Sequence, residues 1–417
     1  MQLQVPKRVR ELGQRLRWYL LDQVDRLLMR GLVERAAVRR LGGSGNGAQA
    51  PVTRVYVDIS VIHKHDAGTG IQRVVRSIRD HLPHVVRAGV RLEPVIVRRL
   101  RDGYVTLDGA PLTGGPGAVF LGLDFATDAV FRARFALRNF RQFGGQVWFL
   151  VHDALPLTHP QWFTAASCVK YRRWMRVCAG LADGVLCVSP VVAGQLALLL
   201  DQRFGRTPLP DIVTLELGSD ITPTDRLVTP DALPLAPGLD ADTFGHAALV
   251  VGTLEPRKGH ADVLAAFDWL WGRGHAIPLV LIGRAGWNTA TLQDRIRQHP
   301  LYGKRLFWLA DVDDHGLHAA YRFCRLAVVP SLAEGYGLPL DEALALGAPV
   351  LARDIPVFHR HRGEPVSYFS AAASAEAIAA AILSAYAGAE APRRLAPLRT
   401  WDDTARQVVR ALGCAAD

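Results

Sequence analysis

Short apolar runs alternate with amphipathic stretches along most of this chain, and the alternation starts twice. In the first series "TRVYVDIS" (53–60), "RLEPVIV" (91–97), "GAVFLGL" (117–123), "QVWFLVHD" (146–153) and "GVLCVS" (184–189) have the length and composition of buried strands. Helical patterns over 70–82 and 161–181 stand between them. The Pro-rich, weakly periodic segment 222–243 interrupts the series, which resumes with "HAALVVGTL", "PLVLIGRA", "RLFWLA", "RLAVVPS" and "APVLAR". Strands that alternate with helices imply a parallel sheet covered on both faces. The constraint is severe, because it excludes all-helical and all-β folds at once.

At 417 residues, 49% of them hydrophobic, the chain exceeds one domain and can fill two cores. The pattern predicts two Rossmann-like domains, 51–221 and 244–398, joined through 222–243. Residues 399–417 remain as a closing helical segment.

Two loops carry unusual chemistry for such a frame. In "PSLAEGYGLPLDEALALG" (330–347) a strand leads into a loop with Glu334, a helix starts at Pro339, and Gly347 stops it after about two turns. Glu334 then lies at the carboxyl end of a strand and Glu342 in the first helical turn. Ligands of open α/β sheets bind at such strand ends. In "VVGTLEPRKGHADVLAAFDWL" (250–270) a strand runs into Gly252, Arg257 and Lys258 precede a helix, and Val263, Leu264, Phe267 and Leu270 form its inner face. Adjacent cations ahead of a helix N-terminus suit a diphosphate, although the same pair could be a solvated loop.

Net charge is +10, and residues 1–40 supply 10 − 4 = +6 of it. Within them Leu12, Leu16, Tyr19, Leu20, Val24, Leu27, Leu28 and Leu32 recur at helical spacing among arginines, and "GGSGNGAQAP" (42–51) comes next as a linker. Such a helix can lie on an anionic membrane surface or pack on a domain. No nucleic-acid motif accompanies the charge. Five cysteines (168, 178, 187, 324 and 414) without C-x-x-C spacing argue against a disulfide framework and for a cytoplasmic setting. No apolar run reaches the roughly 18–20 residues of a spanning helix, so the expectation is a soluble or peripheral protein. Neither strand-turn-helix carries G-x-G-x-x-G, which disfavours a dinucleotide oxidoreductase.

Six motifs in order, "DAGTGIQRVVR", "VHDALPLTHP", "GTLEPRKGH", "LVLIGRAGW", "VPSLAEGYGLPLDEALALGAPVLARD" and "TWDDTARQVVRAL", resemble the retaining glycosyltransferases of the GT-B fold, family 4, which includes bacterial polysaccharide and O-antigen mannosyltransferases. The resemblance spans about 54–412 and implies two Rossmann-like domains with a cleft between them. It implies that Glu334 binds donor-sugar hydroxyls, Glu342 the ribose hydroxyls and Lys258 the diphosphate. Arg257 would supply a second charge, because the position after the strand glycine, often arginine in the family, is Thr253 here. Gly70 would face the phosphates and His152 the donor sugar, with Gly337 and Leu338 also on the substrate side. For His152 a place in the wall at a strand end stays open. Arg360 stands where many relatives carry glutamate.

The activity implied by the resemblance is transfer of a hexose, as mannose or a deoxymannose from a GDP-sugar, onto a polyprenyl-diphosphate-linked or oligosaccharide acceptor at the inner face of the cytoplasmic membrane. UDP-sugars stay open. With no protein nucleophile in place, the resemblance implies a front-face displacement in which a leaving phosphate oxygen takes the acceptor proton and positive groups stabilise the diphosphate. No cofactor and no metal are expected, since "DVDD" (311–314) between a strand and a helix reads as an N-cap. A nucleotide-sugar epimerase of the same fold and a non-catalytic subunit of a polysaccharide assembly complex are the alternatives.

Overall fold

The computed structural model describes residues 50–66, 68–98, 103–219, 229–389 and 399–416. The expected basic helix of 1–40 and nearly all of the Gly-rich linker lie outside these. The described residues form two compact units, one reaching to Glu216 and resuming at Thr404, the other Leu217–Asp403.

The first unit is built on seven strands: β1 (Arg54–Asp58), β2 (Arg91–Arg98), β3 (Gly103–Thr106), β4 (Ala118–Gly122), β5 (Gln146–Val151), β6 (Gly184–Cys187) and β7 (Asp211–Thr214). Their spatial order is β3-β2-β1-β4-β5-β6-β7, and all pairings are parallel except β2 with β3. Every residue of β4 is buried, as a strand covered on both faces requires. Helix Gly70–Val85 begins with a reciprocal cap in which Thr69 and Gln72 exchange hydrogen bonds. It continues past the expected stop through Pro83, because a proline in the last turn removes only one late hydrogen bond. The antiparallel β3 and the edge strand β7 are additions to the strands that the sequence indicates; at four residues each they leave little periodicity to detect.

The second unit holds β8 (Ala248–Val251), β9 (Leu279–Ile282), β10 (Leu306–Leu309), β11 (Leu326–Val329), β12 (Val350–Arg353) and β13 (Val366–Phe369). This sheet is parallel throughout, in the order β10-β9-β8-β11-β12-β13. Helix His260–Gly272 buries Val263, Leu264, Phe267 and Leu270, as expected, and packs on helix Ala375–Gly388. Burial of such side chains stabilises by roughly 1.5–3 kcal/mol each, enough to make this helix a firm support for the loop before it. Residues 229–243 are not featureless: they form a turn at Pro230–Ala232 and begin the helix Ala241–Gly245, with Leu233, Leu239 and Phe244 buried. Chain order reverses between β8 and β11. Such a switch point leaves a crevice at the carboxyl ends of the two central strands.

Candidate active site

Both loops singled out in the sequence leave the sheet at that switch point, since Arg257 and Lys258 come after β8 and Glu334 after the adjacent β11. Two backbone contacts clamp them together. Gly259, at φ 71°, lies so close to the chain leaving β11 that a Cβ there would stand 2.2 Å from the Pro330 carbonyl oxygen. The Leu332 N–H donates to the Arg257 carbonyl at 2.7 Å. No L side chain fits position 259, so its glycine sets the spacing of the two loops.

The side chains then form one charged cluster. Glu334 Oε1 accepts from Lys258 Nζ at 2.5 Å and Ser331 Oγ at 2.7 Å, and Oε2 accepts from Arg257 Nη1 at 2.6 Å. Arg257 Nη2 also pairs with Glu255 Oε1 at 2.8 Å. Burial alone would raise the Glu334 carboxyl; the charges of Lys258 and Arg257, with hydrogen bonds from Lys258 and Ser331, outweigh it and hold the group at about 2. Glu334 is therefore an anion at any working pH. Two cations and two carboxylates leave this group near neutral overall.

Helices begin on both sides of it. His260–Gly272 starts at Gly259 and Leu338–Ala345 starts at Gly337, each glycine left-handed and neither helix capped by a side chain. Their first-turn N–H groups suit an anion or a hydroxyl-rich ligand. The helix Leu338–Ala345 has Pro339 at its second position and ends before Gly347, one residue earlier at each end than the sequence indicates. Gly337 has a packing role: a Cβ there would meet the Phe358 ring at 2.4 Å. Leu338 is buried, and Thr253 is half-buried on the turn after β8. Glu342 is buried in the helix and accepts from Tyr321 Oη at 3.1 Å.

The Gly-Tyr-Gly turn between the two glutamates is held from both sides. Tyr336 Oη bonds the Leu217 backbone at 3.1 and 3.2 Å. Arg360 stacks on its ring at 4.1 Å, donates to the Tyr336 and Val357 carbonyls at 2.7 Å each, and pairs with Asp341. Arg360 thus has a structural duty of its own in this chain. Asp313 accepts from the Gly316 N–H at 2.7 Å and caps helix Asp314–Phe323, while Asp311 pairs with Arg284 at the surface.

Gly70 and His152 belong to the first unit. Gly70 opens helix Gly70–Val85 and is exposed. His152 lies just after β5 and is buried; its Nε2 has no hydrogen-bond partner among the described residues. Burial depresses its imidazole to about 4, against a smaller upward effect of the Leu123 backbone. The ring is neutral, with Nε2 able to accept a hydroxyl proton donor. His260, the first residue of its helix, is likewise buried and depressed to about 3, by burial and by the charge of Lys258. Ser331, Glu255 and His260 carry no role that the sequence alone reveals, though all three lie within the motifs that mark this region.

Proteins of known activity resemble this chain over the same residues. A family model described as glycosyl transferases group 1 matches residues 243–397, the part of the chain that carries the cluster. The chain is also 34% identical over 377 residues, 85% of its length, to the serotype-specific mannosyltransferase WbdA of Escherichia coli. Residues 243–397 are thus matched as a group 1 glycosyl transferase domain, within a chain of GT-B fold. The chain spans 44% of WbdA, so under half the length of that relative is represented. A phosphatidyl-myo-inositol mannosyltransferase of Mycobacterium leprae is 30% identical over 210 residues, 46% of this chain and 54% of that protein. Among solved structures, the sucrose-phosphate synthase of Thermosynechococcus elongatus covers 87% of this chain and 95% of its own at a TM-score of 0.52 and 17% identity. Anabaena HepE, solved with UDP and glucose, covers 87% and 99% at a TM-score of 0.54 and 14% identity. Likeness at these identities establishes the fold, and the mannosyltransferase relatives bear on the chemistry.

Proposed function

We propose that this glycosyltransferase is a retaining mannosyltransferase that moves mannose, or a deoxymannose, from a GDP-sugar to a lipid-linked or growing polysaccharide acceptor. The observation that carries the reading is the cluster at the switch point of the second unit, where Lys258 and Arg257 meet Glu334. Two desolvated cations and two uncapped helix starts suit a departing nucleoside diphosphate. A carboxylate held in its ionised form suits sugar hydroxyls, each of which is a donor. In this reading Lys258 and Arg257 take the diphosphate, Glu334 the sugar and Glu342 the ribose. Thr253, Gly337 and Leu338 shape the pocket wall, and Gly70 and His152 contribute from the first unit. No step requires a metal, because the cations perform the charge stabilisation.

The basic residues of 1–40 would hold the enzyme on the anionic inner face of the cytoplasmic membrane, where a polyprenyl-diphosphate acceptor resides. No described helix is long and apolar enough to cross a membrane. The test is incubation with GDP-mannose, GDP-deoxymannose and UDP-hexoses in the presence of mannosylated acceptors, with the product anomer read by NMR. Transfer with retention from a GDP-sugar supports the reading; exclusive use of a UDP-sugar, or inversion, rejects it.

A further inference from the structure

Strand β12 ends in a charged residue that the chemistry above does not use. Arg353 is only 2% exposed, and an arginine withdrawn from water to that degree is costly unless each arm of its guanidinium is met. Every arm is met, and each by a different segment. Nε donates to the Pro330 carbonyl at 2.9 Å, Nη1 to the Ala371 carbonyl at 2.7 Å, and Nη2 to Asp262 Oδ2 at 2.6 Å. The guanidinium also lies 5.0 Å from the Phe369 ring centroid.

Two of these partners are the roots of the charged cluster. Pro330 is the first residue after β11, one before Ser331 and four before Glu334, and its carbonyl is the atom that Gly259 approaches. Asp262 sits in the first turn of the helix that begins just after Arg257 and Lys258. One planar group therefore ties the start of the carboxylate loop to the helix that follows the cation loop. A second effect is electrostatic: a carboxylate in the first turn of that helix would oppose an anion arriving at the same end, and its pairing with Arg353 offsets the charge.

We propose that Arg353 is a positioning residue of the transferase site: it fixes the distance between Glu334 and the Arg257–Lys258 pair and neutralises Asp262 beside the diphosphate position. The proposal rests on the nucleotide-sugar reading for its kinetic consequence, but its geometric content does not. Arginine is required for the role because only a planar fork reaches three acceptors at once, whereas an ammonium is a single point charge. Arg353→Lys keeps the charge opposite Asp262 and gives up the hold on Pro330 and Ala371. Asp262→Asn, at a half-exposed side chain, loosens the other arm with little risk to folding.

The experiment measures three quantities for both variants at a temperature where thermal melting shows them folded: turnover of GDP-mannose, affinity for GDP, and the carboxyl titration of Glu334 by selectively labelled carbon NMR. Arg353→Lys is expected to lower kcat at least tenfold while GDP affinity changes by less than threefold, and to move the Glu334 titration upward from about 2 as its cations lose register. Asp262→Asn should act in the same direction to a smaller extent. A lower melting temperature with unchanged kcat and an unmoved Glu334 titration in both variants would overturn the proposal and leave Arg353 a structural ion pair. Should Arg353→Lys not fold, Asp262→Asn alone decides by the same criteria. If the wild-type chain does not turn over GDP-mannose, the nucleotide-sugar reading fails separately, and the titration still decides for or against Arg353.

Discussion

Glu334→Gln should bind bare GDP more tightly than the wild type while losing transfer. The two cations of the cluster already hold an anion, since Lys258 and Arg257 meet Glu334 at 2.5 and 2.6 Å. A diphosphate must compete with that carboxylate for the same donors. Holding the carboxyl at about 2 instead of its ordinary 4.5 corresponds to roughly 3 kcal/mol in favour of the paired anion. Glutamine keeps the shape and can still accept from Ser331 and Lys258, but it carries no charge and turns an N–H donor toward Arg257. Both cations become more available, and the diphosphate should recover part of the difference, about 1–2 kcal/mol or a 5–30-fold gain in affinity. Transfer should fall because an uncharged amide is a weaker acceptor for the sugar hydroxyls. Calorimetric titration with GDP and with inorganic pyrophosphate, beside initial rates with GDP-mannose, measures both effects. Equal or weaker GDP affinity in a folded Glu334→Gln variant would refute the competition argument.

Lys258→Ala removes a charge-assisted contact worth roughly 1.5–3 kcal/mol, so kcat/KM should drop at least tenfold, and EDTA should leave the parent enzyme active. Stability should fall with acid in two stages that urea melts at stepped pH can resolve. The neutral imidazoles of His152 and His260, folded values about 4 and 3 against an ordinary 6.5, give stability that is present above pH 6.5 and lost as pH falls toward those values. Glu334 contributes stability above about pH 4.5 that is lost toward 2, so His260→Gln should flatten the first stage and spare the second. Deleting residues 1–40 should abolish salt-sensitive sedimentation with anionic vesicles and spare transfer to a short soluble acceptor; unchanged sedimentation would remove the membrane role from that segment.

Local chemistry is legible in the sequence because strand and helix periods are written residue by residue. All ten strand runs that it indicates are strands here, and the inward face of helix His260–Gly272 matches the spacing of Val263, Leu264, Phe267 and Leu270. Asp313 as a helix cap is readable from its place between a strand and a helix. Glu334, Lys258 and Glu342 can be singled out by motif, but their mutual relation cannot. Lys258 and Glu334 are 76 residues apart and become partners only because β8 and β11, three strands apart in the chain, are neighbours in the sheet. Arg353 shows the same limit more sharply. In the sequence it is one charge at the end of an apolar run, and three acceptors from separate segments give it a purpose. The periodicity of the chain decides which residues are buried and which end of a strand they occupy, since that depends on neighbours three or four positions away. Strand order, loop spacing set by a glycine against a carbonyl, and the charge state of a buried glutamate depend on residues distant in the chain, and only the tertiary structure brings those together.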